Sequence, residues 1–299
     1  MTATLPPAPD QTAVQTAVQT PNHAPDPPRP APQRRLRGGA VPGAIPSAVP
    51  GGPSGLRLTA MGHRAALLGL SPVLLGQGLW TRIKTPVLPE PPGARSGSVG
   101  QGRRLRLLIA GDSAAAGVGV DHQSQALSGQ IAALMAPICR LDWRLLAQRG
   151  WRSRDLIAQL RGLGDDRFDV ALLSLGVNDV TGGVGRAAFL RAQQDLADLL
   201  ADRFGIRHIL VTAVPPMGVM TALPQPLRAV LGQRARHFNT GLMQQVAADP
   251  RRHLISPEIG FHADVIARDG FHPNRRAYHQ WAQYAVSLMR PILRTGDCA

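Results

Sequence analysis

Four short segments carry residue types that do nucleophilic chemistry when a fold brings them together. Gly111-Asp112-Ser113 places a hydroxyl directly after an apolar run, where a strand turns into a loop and free backbone amides can stabilise an anion. Gly150, in Arg149-Gly150-Trp151, lets a backbone amide approach a ligand closely. Asn178, in Gly176-Val177-Asn178-Asp179, carries a neutral donor of the kind that stabilises developing negative charge. Asp269 and His272, in Asp269-Gly270-Phe271-His272-Pro273, stand three residues apart. Asp269 can then accept from one ring nitrogen while the other faces Ser113. Taken singly, each segment reads equally as local structure: a serine helix cap, a turn glycine, an Asn-Asp turn, and a helix started by proline.

The elements that must position these residues follow from hydrophobic periodicity. Short apolar runs at 105–110, 143–148, 169–176, 208–214 and 253–257 read as strands. Amphipathic stretches at 126–137, 153–160, 186–203, 227–248 and 274–294 read as helices. Alternating strands and helices imply a parallel sheet covered on both faces, a three-layer α/β/α sandwich with a central sheet of about five strands. Ligands of such a sheet sit at the carboxyl ends of its strands. Ser113, Gly150 and Asn178 each follow a predicted strand, and His272 precedes the last helix.

That ordered set resembles the SGNH/GDSL hydrolase family, whose four blocks centre on Ser, Gly, Asn and His. The matching residues are Ser113 in GDS, Gly150 in RGW, Asn178 in GVND and His272 in DGFHP, and the resemblance covers roughly 105–295. The first block reads GDSAAAG, without the leucine of the family name. The resemblance implies a flavodoxin-like fold and a serine esterase with no metal or organic cofactor. Ser113 would be the nucleophile, His272 the base and Asp269 its orienting partner. The oxyanion would lie between the Ser113 amide, the Gly150 amide and the Asn178 side chain. Its substrate would be a small carboxylic ester; the alternative is a noncatalytic carbohydrate- or lipid-binding module on the same fold. Asp112 and Asp179 are assigned to loop hydrogen bonding. The Val214–Leu223 stretch, rich in methionine, is read either as a wall of an acyl pocket or as ordinary core, and Trp151 as cleft or core.

The lipase signal G-x-S-x-G, H-E-x-x-H and the P-loop are absent, and Gly117-Val118-Gly119 lacks the third glycine of a dinucleotide fingerprint. The formal net charge is +14 on 299 residues, but every basic residue except Lys84 is arginine. Such a bias fits codon composition as well as a phosphate-binding surface, and no nucleic-acid partner is inferred from it. Cys139 and Cys298 form no C-x-x-C and are expected as thiols rather than a disulfide.

The first 60 residues are rich in Pro, Ala, Gln and Gly and are expected to be disordered. Residues 65–80 form an apolar run shorter than the roughly 20 residues of a membrane span. Within 61–84 this run reads as a signal or anchor, or as a helix on the domain or membrane surface. The location of the chain is cytoplasmic, membrane-associated or exported accordingly. Residues 85–104 are expected to be a linker, and the oligomeric state is not legible.

Overall fold

The computed structural model describes residues 60–164, 166–256 and 263–295, with side chains over 69–164, 166–256 and 264–294. The segment expected to be disordered lies, apart from Ala60, outside them. All described elements belong to one unit, Leu58–Ala299.

The sheet forms where apolar side chains occupy consecutive positions. In β2 (Arg104–Gly111), Leu107 and Ile109 pack on one face while Leu108 and Ala110 pack on the other, all fully buried. Every residue of β4 (Val170–Ser174) is buried. Both strands are therefore covered on two sides, as a parallel interior requires. Each such leucine contributes about 1.5–3 kcal/mol through burial.

The strand order is β1-β3-β2-β4-β5-β6, with β3 (Arg140–Ala147), β5 (His208–Thr212) and β6 (Arg252–Ile255) completing the parallel set. Helices α2 (Leu127–Met135) and α7 (Arg275–Thr295) cover one face. Helices α3 (Ser153–Gly162), α5 (Arg186–Phe204) and α6 (Leu227–Ala248) cover the other. The expected three-layer architecture with five parallel strands is present. A sixth strand, β1 (Ser96–Val99), pairs antiparallel with β3 and makes the sheet mixed.

Two features depart from the sequence expectations. The stretch 85–104, expected as a linker, supplies β1 and a strap whose Glu90 accepts the Arg149 amide at 2.8 Å. Its Ser-Gly-Ser-Val sequence has no apolar run because the strand lies at the sheet edge and is mostly exposed. Strand β3 begins three residues before the predicted 143. Arg140, Asp142 and Arg144 alternate with the inward Leu141, Trp143 and Leu145, so the strand is patterned with period two and is not a continuous apolar run.

The apolar N-terminal segment is helix α1 (Ala60–Lys84), and no helix among the described residues is long and apolar enough to cross a membrane. Gln77 ties it to the domain: Oε1 accepts the Leu227 amide at 3.0 Å, and Nε2 donates to the Gln225 carbonyl at 2.5 Å.

The topology also creates the crevice. The chain leaves β2 for β3 through α2, then returns through α3 on the opposite face to β4, on the other side of β2. The carboxyl ends of β2 and β4 are thus a switch point, where adjacent connections diverge and leave space above the sheet.

Candidate active site

Ser113 follows β2 at this switch point. The Asp112 amide donates to the Ser174 carbonyl at the end of β4 (3.0 Å), which holds the loop across the two strands. The Tyr278 hydroxyl on α7 lies 2.9 Å from the Ala114 carbonyl and 2.8 Å from that of Val118, pinning the Ser113 loop against the last helix.

His272 reaches the same point from a tightly bonded turn. Asp269 Oδ1 accepts the Phe271 and His272 amides, both at 3.0 Å, and the Ala267 amide donates to the His272 carbonyl at 2.8 Å. The imidazole then bridges: Nδ1 is 2.5 Å from Asp269 Oδ2, and Nε2 is 2.9 Å from Ser113 Oγ. With Asp269 accepting from Nδ1–H, Nε2 is left as the acceptor for the Ser113 hydroxyl. Burial alone would raise the pKa of Asp269. The hydrogen bonds from the His272 side chain and backbone outweigh it and hold the carboxylate below its usual range.

The close approach of the two loops depends on Gly119. Its φ is +112°, and a Cβ there would stand 2.2 Å from the Pro273 carbonyl oxygen. Gly150 is used differently: nothing would obstruct a Cβ, but its φ of +84° is the left-handed conformation that favours glycine. Among the described residues, neither the Ser113 nor the Gly150 amide donates to an acceptor.

Asn178 lies on a short helix, α4 (Val177–Thr181), directly after β4. Its Nδ2 donates to the Trp151 carbonyl at 3.0 Å and makes only a marginal 3.5 Å approach to Asp112 Oδ2. One amide hydrogen therefore fixes the side chain, and the weakly held second one can turn toward an anion. Ser113, Gly150, Asn178 and His272 all line one cavity of about 300 Å³. Asp269 sits behind His272 and is 4% exposed.

The remaining expectations divide. Asp112 is buried, its Oδ1 accepting from the Ala114 amide at 3.1 Å, and burial pushes its pKa up to about 7. Asp179 accepts from the Ser153 amide and hydroxyl, tying α4 to the start of α3; burial raises its pKa despite these bonds. Of the 214–223 stretch, Pro215 and Met220 line the cavity, whereas Val214, Met217 and Leu223 are core. Trp151 packs partly buried against the core beneath α3 and α5, and contributes its carbonyl to Asn178. Sequence reasoning missed Val177, Thr181, Val265 and Phe271, which give the cavity its apolar walls. Position immediately after a strand was the available signal for Val177; Val265 ends a three-residue 3₁₀ turn and Phe271 lies in irregular chain, both too short for periodicity. Cys139 is a buried thiol, and Cys298 lies outside the described residues.

The GDSL-like lipase/acylhydrolase family profile matches residues 109–280, from the end of β2 to the first turns of α7. The chain belongs to this family. It is an ester-hydrolysing enzyme of the GDSL type, with the α/β fold of those hydrolases. A GDSL-like esterase of Mycobacterium tuberculosis, Rv1075c, is 30% identical over 258 residues, which are 76% of this chain and 79% of the relative. Two solved structures share the fold of this GDSL hydrolase. A family 3 carbohydrate esterase of Clostridium thermocellum superposes with a TM-score of 0.52 at 17% identity, over 64% of this chain and 98% of that one. A lipolytic protein of the G-D-S-L family from Veillonella parvula gives 0.50 at 16% identity, over 61% and 97%.

Proposed function

We propose that the enzyme hydrolyses small carboxylic esters by a serine mechanism with an acyl-enzyme intermediate. The observation that carries this reading is the continuous chain Asp269–His272–Ser113 at 2.5 and 2.9 Å, opening into the cavity. In the first half-reaction Ser113 Oγ attacks the ester carbonyl carbon as His272 Nε2 takes its proton. Asp269 keeps the other ring nitrogen protonated and stabilises the imidazolium. The carbonyl oxygen becomes an oxyanion, and the Ser113 amide, the Gly150 amide and the free hydrogen of Asn178 Nδ2 are its donors. As the tetrahedral species collapses, His272 returns the proton to the leaving alkoxide. Water, deprotonated by His272, then attacks the acyl carbon; the bond to Ser113 Oγ breaks, His272 returns the proton to Oγ, and the carboxylic acid leaves.

A small ester suits the space. The cavity lies at the low end of the 300–1,000 Å³ range of ligand pockets. Val177, Met220, Val265 and Phe271 offer apolar contact to a short acyl or alcohol group without a charged partner among them. A noncatalytic binder would have no use for an imidazole held between a buried carboxylate and a hydroxyl.

The test is hydrolysis of p-nitrophenyl acetate by the wild type and by Ser113→Ala. The variant is expected to fold normally and to fall to the background rate. Full activity in the purified variant would refute the serine assignment.

A further inference from the structure

Apolar exposure on this molecule is concentrated in one place. Of the eleven exposed large apolar side chains among the described residues, seven lie on or just after α1: Leu70, Val73, Leu75, Leu79, Trp80, Ile83 and Val87. Four of them are more than half exposed on the helix itself, at 75% for Leu75, 61% for Leu79, 52% for Trp80 and 71% for Ile83. Single exposed leucines are ordinary, but a contiguous stripe of this kind marks a surface that something covers.

The stripe has the geometry of a helix lying in a lipid interface. At about 100° per residue, Leu75, Leu79, Ile83, Trp80 and Val73 fall on an arc of roughly 160°. Arg82 and Lys84 fall at its two edges, about 20° beyond Leu75 on one side and Val73 on the other. Residues 60–84 contain Arg64, Arg82 and Lys84 and no acidic residue. Leucine and tryptophan between flanking cations can enter the acyl boundary while the cations remain among anionic headgroups. The inward side of α1 is held to the domain through Gln77 and the buried Thr81. The helix is not apolar enough along its length to span a membrane, so the fitting mode is to lie along its surface.

We infer that α1 docks the enzyme on an anionic lipid surface through Leu75, Leu79, Trp80 and Ile83, with Arg82 and Lys84 at the headgroups. The docked helix is attached beside the catalytic cavity at two points. Gln77 holds the segment just after the cavity-lining Met220, and Glu90, six residues after α1, accepts the amide of Arg149, next to Gly150. Val219, also exposed, lies in that same cavity-wall segment. Docking through α1 therefore holds the domain to the lipid surface through these attachments and not on a long tether.

Flotation of the full chain with phosphatidylcholine–phosphatidylglycerol vesicles tests this. The protein is expected to float with them, less so with pure phosphatidylcholine, and less as salt rises. The variant Leu75→Ser/Leu79→Ser/Ile83→Ser is expected to lose vesicle partitioning by at least about tenfold while keeping its thermal melt. Arg82→Gln/Lys84→Gln should remove the preference for phosphatidylglycerol. A full chain that stays in the soluble fraction, or a triple variant that floats as well as the wild type, overturns the inference. So does a concentration-dependent dimer, seen by light scattering and abolished by the same triple substitution without any flotation, since the patch would then bind a second copy.

Discussion

At the scale of single residues, the site separates groups that share similar chemistry by their surroundings. Asp269 and Asp112 are both buried carboxyls near His272. Asp269 receives three hydrogen bonds and stays ionised, whereas Asp112 receives few and is pushed up to about 7. Because the folded-state pKa of Asp112 exceeds its unfolded value of 3.8, the native state binds the proton more tightly. Folding stability therefore falls as pH rises from about 4 to about 7, by an amount on the order of 4 kcal/mol. Asp112→Asn keeps an acceptor for the Ala114 amide without the charge. It is expected to raise the melting temperature at pH 8, with the gain shrinking toward pH 4; an equal effect at both pH values would contradict the burial argument. Asn178 supports a kinetic prediction. In the proposed mechanism its weakly held second hydrogen serves the oxyanion, so Asn178→Ala should lower kcat by about 10²–10³ with little change in KM. Steady-state kinetics on p-nitrophenyl acetate would show it. The residue types of these groups were legible in the sequence. The poise of Asp112 was not, since it depends on how completely β2, β4 and α7 enclose it.

At the scale of elements, what matters is how two loops from distant parts of the chain are brought into contact. Gly119 is the tightest point between them. Gly119→Ala would force the Pro273 carbonyl away and move His272 with it. The expected result is at least a tenfold loss of kcat/KM with a cooperative melt retained, measured by kinetics alongside thermal unfolding. The strands and long helices were readable because their periodicity is strong: 170–174 is buried throughout, and α5 carries Phe189, Leu196, Leu200 and Phe204 inward. Elements whose stability comes from position were not readable. Strand β1 is Ser-Gly-Ser-Val at an exposed edge, and α4 is five residues that read as an Asn-Asp turn until Gly176 is seen entering it with a φ of +122°. The loops that carry Ser113 and His272 stand out by their order along the chain, while the cavity walls, drawn from the short α4, a 3₁₀ turn and irregular chain, carry no pattern.

At the scale of the whole molecule, the fold joins a hydroxyl and an imidazole 159 positions apart, brought to 2.9 Å by the switch point between β2 and β4. Among the described residues, the same molecule concentrates its exposed large apolar side chains on and just after α1. The sequence shows that helix as an apolar run, but not which of its sides the domain covers, because the inward Gln77 and Thr81 are too few to mark a face. The central claim is that Ser113 is a nucleophile activated by His272. A fluorophosphonate, which reacts with activated serines and stays attached, tests it on the full chain by peptide mass spectrometry. One label is expected, on the peptide containing Ser113, with its loss in His272→Ala. A label on any other serine, or undiminished labelling of Ser113 in His272→Ala, would contradict it.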